Sequence, residues 1–336
     1  MKLHPKYILI MSLNIIFLFS FIFSNYLIKI YSNKVIFVFI IVFVLSLLVL
    51  LLLPKSFPHI LKNIYNSTFI RYILIAYIII SSLLLGYVLF NIISIRFFFV
   101  TPTFLIIIMF SYFIVIGQIF NLKSIINTTF FISVILLFLI LIPFISSSGR
   151  DFNLLHRLDY KFPSNLSFLL IGLVPLDNLL FLLIPNKKDI INKYDLLISC
   201  LIGLTISGFF IIDNFTFIDY SFFKDMNFGS LYRYKLYYGP KYIEHFDNFL
   251  NIILCCYLYL KCLINGKLLK SLLLIKNNII SSIGFSVVFL LCNIYLYYSF
   301  IFKIDYVLIP LILLSILLLI IYIFLIRRTL HERKYQ

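Results

Sequence analysis

Apolar runs of Leu, Ile, Phe and Val recur along this chain, separated by short polar stretches. Each is close to the about 20 residues that a helix needs to cross roughly 30 Å of hydrocarbon. They lie near 7–30, 35–53, 72–93, 102–120, 125–145, 166–184, 196–212, 243–263, 279–302 and 305–326, and predict ten transmembrane helices. The seventh, with 17 residues, is the shortest. Two longer polar connections fall at 146–165 and 213–242. No stretch is left for a soluble domain and no repeat is visible, so residues 1–336 read as a single ten-helix transmembrane domain.

Composition agrees with that pattern. The chain is 63% hydrophobic and 12% charged, with a mean hydropathy of +1.12, which is far outside the globular range and marks an all-α polytopic membrane protein. A short basic start, MKLHPK, precedes the first run. That run is too long for a signal segment and has no small-residue cleavage site, so it reads as an uncleaved first helix. With 39 Phe, 24 Tyr and no Trp, an interfacial aromatic belt has to be built from Tyr.

A formal charge of +16 does not imply nucleic acid here, because Lys and Arg of membrane proteins collect on cytoplasmic loops. Placing both termini in the cytoplasm puts 17 of the 28 basic residues inside, Lys261, Lys267 and Lys270 among them, and leaves 11 outside. The tail IRRTLHERKYQ then forms a juxtamembrane basic patch at the lipid headgroups of the bilayer. Five cysteines lie in or beside apolar runs without CxxC spacing, and the five His are scattered. Neither set suggests a metal site, and no cofactor is expected.

The sixth run, LLIGLVPLDNLLFLLIP, carries Gly172, Pro175 and Asp177 near its centre, followed by Asn178. Proline removes a backbone donor and pushes against the preceding turn, and Gly172 adds conformational freedom beside it. A carboxylate at mid-membrane costs about 2.5–3.5 kcal/mol on insertion scales, so it faces a cavity or a partner. The combination predicts a discontinuous helix whose break lines a polar midplane site. A packing kink, with Asp177 protonated and bonded to a neighbour, is the alternative.

Further polar groups are candidates for the same site. Asn14 lies in the first run, Ser81 and Ser82 in the third, and Asp247 and Asn251 share a helix face at the start of the eighth. The loop GRDFNLLHRLDYKFP gathers Arg150, His156 and Arg157, but no nucleophile stands at a recognisable spacing from a base, and an enzyme is not expected.

The order of landmarks resembles a known family. LLLPKSFPHILKNIYNS follows the second span, FFFVTPTFLIIIMFSYFIVIGQI opens the fourth at Thr101-Pro102, FPSNLSFLLIGLVPLDNLLFLLIPNKK holds the sixth, and PKYIEHFDNFLNIIL precedes the eighth. This succession, from about Pro54 to Lys261, resembles the B subunits of spore germinant receptors, within the amino acid–polyamine–organocation transporter superfamily. The resemblance implies a five-plus-five inverted repeat with broken first and sixth helices. It also implies a pocket between spans one, three, six and eight for a small nutrient, typically an amino acid. Signalling to A and C partner subunits in the spore inner membrane is implied as well, with the family's acid of span six on Asp177 and its following proline on Pro185. The first span departs from the family, since YILIMSLNIIFLFSFIFS holds neither Gly nor Pro and offers only Asn14 and serines. A stand-alone amino acid transporter of the same fold is the second reading.

Overall fold

The computed structural model describes residues 4–31, 34–53, 68–97, 101–145, 163, 168–183, 191–217, 246–275, 277–299 and 308–334. These are helical nearly throughout, as lipid requires of a chain that must satisfy its own backbone hydrogen bonds. The helices are α1 (Pro5–Ile16), α2 (Ser24–Tyr31), α3 (Val35–Leu52), α4 (Thr68–Arg96), α5 (Thr103–Gly117) and α6 (Leu122–Ile145). After them come α7 (Phe168–Ile171), α8 (Lys193–Phe217), α9 (Phe246–Leu273), α10 (Asn278–Ser299) and α11 (Leu308–Lys334). A π-helical segment, Phe17–Phe23, joins α1 to α2, and a 3-10 helix, Val174–Leu183, follows α7. Among the described residues, 8 helices are long and apolar enough to cross a membrane, and two shorter apolar ones lie at Thr103–Gly117 and Phe168–Phe181. The protein is therefore a polytopic helical membrane protein.

Side-chain placement on α10 follows the solvent. Ile283, Val287 and Leu291 are exposed, whereas Ser282, Ser286 and Asn293 are buried. The exposed face is apolar and the interior carries the polar groups, the reverse of a helix lying on a water-soluble protein. Ser286 and Asn293 satisfy the pattern by closing on their own helix: Ser286 Oγ donates to Ser282 O at 2.8 Å, and Asn293 Nδ2 to Phe289 O at 2.7 Å.

The chain divides into two compact units, one of Met1–Lys62, Leu137–Asp247 and Leu318–Gln336, the other of Asn63–Leu136 and Asn248–Leu317. In the first, α1 and α3 pack on α8, and α3 also meets α7 and the 3-10 helix. At Gly203 α8 lies tight against α1: a Cβ there would lie 2.7 Å from Ile15 Cβ and 2.9 Å from Ser12 O. Asp195 ties two helix starts in this unit, accepting from Asn192 N at 2.8 Å and His4 N at 3.2 Å. In the second unit, α10 packs on α4 and α5. There Gln118 Nε2 donates to Leu263 O at 2.8 Å and Tyr259 Oη to Phe113 O at 2.7 Å, fastening α9 to α5.

Two boundaries differ from the sequence reading. The seventh span is not short: α8 has 25 residues. The eighth does not end at residue 263 but runs to Leu273, so Lys261, Lys267 and Lys270 lie within the helix. Lys261, 1% exposed, is not a loop residue and leaves the cytoplasmic tally, which becomes 16 of 28.

Candidate functional site

The break in the sixth span is built by its own sequence. An α-helix through Gly172 would receive Leu176 N on Gly172 O, but Leu176 N donates instead to Leu173 O at 2.9 Å. Pro175 has no N–H to continue the α ladder from Ile171, and the chain tightens into 3-10 geometry. At 10 residues this 3-10 helix far exceeds the three or four residues usual for such runs. The carbonyl freed at Gly172 is taken up within the protein: Ser46 Oγ of α3 lies 2.8 Å from it and 2.7 Å from Val42 O. A Cβ at Gly172 would sit 3.2 Å from Leu45 Cβ, so α3 also fits closely here.

Two residues beyond Pro175, Asp177 and Asn178 meet α1. Asn14 Nδ2 donates to Asp177 Oδ2 at 2.8 Å and to Asn178 Oδ1 at 2.9 Å. Asn178 Nδ2 in turn donates to Met11 O at 3.1 Å. All three side chains are buried, Asp177 at 2% exposure. One neutral amide thus places both its protons on a carboxylate and a second amide, linking the first span to the 3-10 helix of the sixth. This gives Asp177 the bonded neighbour that the packing alternative requires, and it leaves the carboxylate in reach of any stronger donor that enters.

Immediately after α1 the backbone winds as a π-helix, without the Gly or Pro that breaks the sixth span. The family resemblance implies a broken first helix; the structure has a widened one. Such π segments recur at functional positions because their wider turn leaves backbone bonds poorly matched. Ser24 Oγ donates to Ser20 O at 2.5 Å inside this region, while the buried Ser20 Oγ has no hydrogen-bond partner.

Ser81 and Ser82 belong to the second unit, where Asn265 Nδ2 reaches Ser82 Oγ at 3.1 Å and Ser81 Oγ at 3.5 Å. Asn251 is buried on α9 with neither amide atom hydrogen-bonded, and Asp247 is partly exposed in the first turn of that helix. Pro185 and the cluster at Arg150, His156 and Arg157 lie outside the described residues. Sequence reasoning missed Ser46, whose signal was a lone hydroxyl in VFIIVFVLSLLVLLLLP, and Asn265, hidden beyond a lysine taken for a span's end. Among the described residues no three His, Cys, Asp or Glu side chains gather as a metal ion would need.

No family model, curated protein or solved structure matches this chain.

Proposed function

We propose that this chain is a nutrient-sensing membrane subunit of the spore germinant receptor type, binding a small nutrient, an amino acid, beside Asp177. The observation that carries the reading is the Asn14–Asp177–Asn178 network across the break of the sixth span. A ligand ammonium makes a charge-assisted bond to a carboxylate that is about twice as strong as the neutral amide's. It would displace Asn14 from Asp177 and uncouple the first span from the 3-10 helix. A ligand shifts an equilibrium only by its differential affinity for two states, and the closed network defines one of them.

The five-plus-five architecture has its own support. Counting the ten apolar spans in order, the first unit collects spans one and two with six and seven, and the second collects three and four with eight and nine. Each set is unchanged when span numbers shift by five. Inside the first unit the pairings obey the same rule: span one packs on seven, and span two on six. This regularity is what a five-helix repeat produces, although no repeat is visible in the residues themselves. Signalling to A and C partner subunits in the spore inner membrane follows from the resemblance of the sequence landmarks.

The test is binding of single amino acids to the purified full-length chain, by calorimetry, together with germination of spores carrying the same variants. Asp177→Asn is expected to weaken binding of the recognised amino acid and to shift the germination response to higher nutrient concentration. Unchanged binding and unchanged germination in Asp177→Asn would overturn the proposal. The stand-alone transporter reading, favoured by the same unit symmetry, is separated by uptake: accumulation of labelled amino acid in vesicles holding this chain alone would replace sensing with transport.

A further inference from the structure

We infer that one end of the second unit, where the turn from α5 to α6 meets the close of α9, binds the phosphate headgroup of an anionic phospholipid through Lys123 and Lys270. A fixed contact assembles this surface. Gln118, just past the end of α5, is buried; its Nε2 donates to Leu263 O at 2.8 Å, and its backbone O accepts from Lys267 Nζ of α9. Lys267 thereby caps the carbonyl end of α5, where the helix dipole favours a cation. Lys270 lies three residues on, one turn further along the same face of α9. Lys123 follows Gln118 by five residues, at most about 18 Å of chain.

Charge says that an anion covers these lysines. The two stretches of the second unit carry eight Lys and Arg against one acid, Asp305, which follows the other end of α10 in the chain. Asp247 stands at the opposite end of α9, about 35 Å from Lys270 along the axis at about 1.5 Å per residue. Among the described residues neither Lys123 nor Lys270 has a hydrogen-bond or acidic partner. The dipole that favours Lys267 works against Lys123, which sits in the first turn of α6, where the backbone N–H groups already present positive charge. An anion from outside the chain offsets both costs.

Apolar exposure says that the anion is a lipid. Ile119 and Phe120 of the turn, and Leu273 and Leu274 at the close of α9, are exposed beside the lysines in sequence. A free phosphate ion gains nothing from those side chains. A phospholipid lays its acyl chains against them while its phosphate meets the ammonium groups, which long lysine stems carry out to headgroup level. With both termini placed in the cytoplasm, this end meets the cytoplasmic leaflet, where anionic lipids attract basic segments. A headgroup held by both lysines ties the start of the fifth span to the end of the eighth. This site is independent of the ligand proposed at Asp177.

The chain has no Trp, so Phe120→Trp puts a single fluorophore at this surface, and Phe209→Trp puts one at an exposed position of α8 in the first unit. Each full-length variant, checked by monodisperse elution, is reconstituted into mixed bilayers of phosphatidylcholine and phosphatidylglycerol. One lipid or the other carries brominated chains, which quench the fluorophore by contact. Phosphatidylglycerol is expected to quench the Phe120→Trp probe with several-fold preference, and the Phe209→Trp probe with none. Adding Lys123→Gln and Lys270→Gln together should bring the preference to unity. Removing two other cations, Lys34 at the start of α3 and Arg96 at the end of α4, by Lys34→Gln and Arg96→Gln should leave it in place. Inorganic phosphate in the buffer should not compete. Absence of preference at Phe120→Trp, the same preference at Phe209→Trp, survival in the double lysine variant, equal loss in the Lys34 and Arg96 control, or competition by inorganic phosphate would each overturn the assignment.

Discussion

Both amide protons of Asn14 are given to acceptors on the sixth span, so this one side chain holds a carboxylate and an amide in place together. Removing one partner of a buried polar contact leaves the others with their full desolvation penalty, whereas removing both sides can be nearly neutral. Asn14→Leu is therefore expected to destabilise by about 1–3 kcal/mol. The double variant Asn14→Leu/Asp177→Leu should recover a large part of that loss. Denaturant unfolding of both variants in mixed micelles measures the difference; simple additivity of the two single losses would show that the pair does not act as a unit. Asn14→Asp makes a second test. It replaces the donating amide by a second carboxyl group beside Asp177, and the variant should unfold at lower denaturant than the parent in the same micelles.

At the scale of elements, close approach decides which helices can slide. Gly203 lets α8 lie against Ile15 and Ser12 of α1, and Gly266 of α9 faces the Gln118 amide with no room for a Cβ. Overpacking of this kind costs typically 1–3 kcal/mol. Gly203→Ala and Gly266→Ala should each lower the unfolding midpoint, measured in the same micelles, while Gly284→Ala, with nothing within 4 Å of its Cβ position, should not. The sequence was a good guide to the existence of these helices, because ten apolar runs in a bilayer leave the backbone no other choice. It was a poor guide to where α9 ended, since a lysine looks the same whether it caps a span or is buried in one. Pro175 announced the break of the sixth span, but nothing in FLFSFIF announced that the first would widen into a π-helix: that depends on packing by distant residues, and Phe, Leu and Ser fit either winding. Asp177 was legible as a candidate site residue for its cost in lipid; its partner Asn14 was legible only as one polar group among several.

For the whole molecule, the orientation proposed, with both termini in the cytoplasm, rests on the distribution of basic residues. With Lys261 buried, 16 of 28 remain on the side of the termini against 11 on the other, still a bias toward cytoplasmic termini. Fluorescent or protease-cleavable tags at each end should both report the cytoplasm, and opposite locations for the two tags would require an odd number of crossings. The division into two units, each mixing an early and a late part of the chain, also bears on expression. Halves cut between the fifth and sixth spans should be unstable apart and regain unfolding cooperativity when co-expressed, because neither half contains a complete unit. The buried cation on α9 has one more consequence. While Lys261 is protonated it is an elementary charge inside the insulating layer, where the electrical potential of an energised membrane drops. Any shift of α9 along the membrane normal then moves that charge through the field, at up to about 2.3 kcal/mol per 100 mV for a full crossing. Smaller shifts scale with the fraction of the field crossed, so a charge carried at Lys261 would make the position of α9 depend on the membrane voltage.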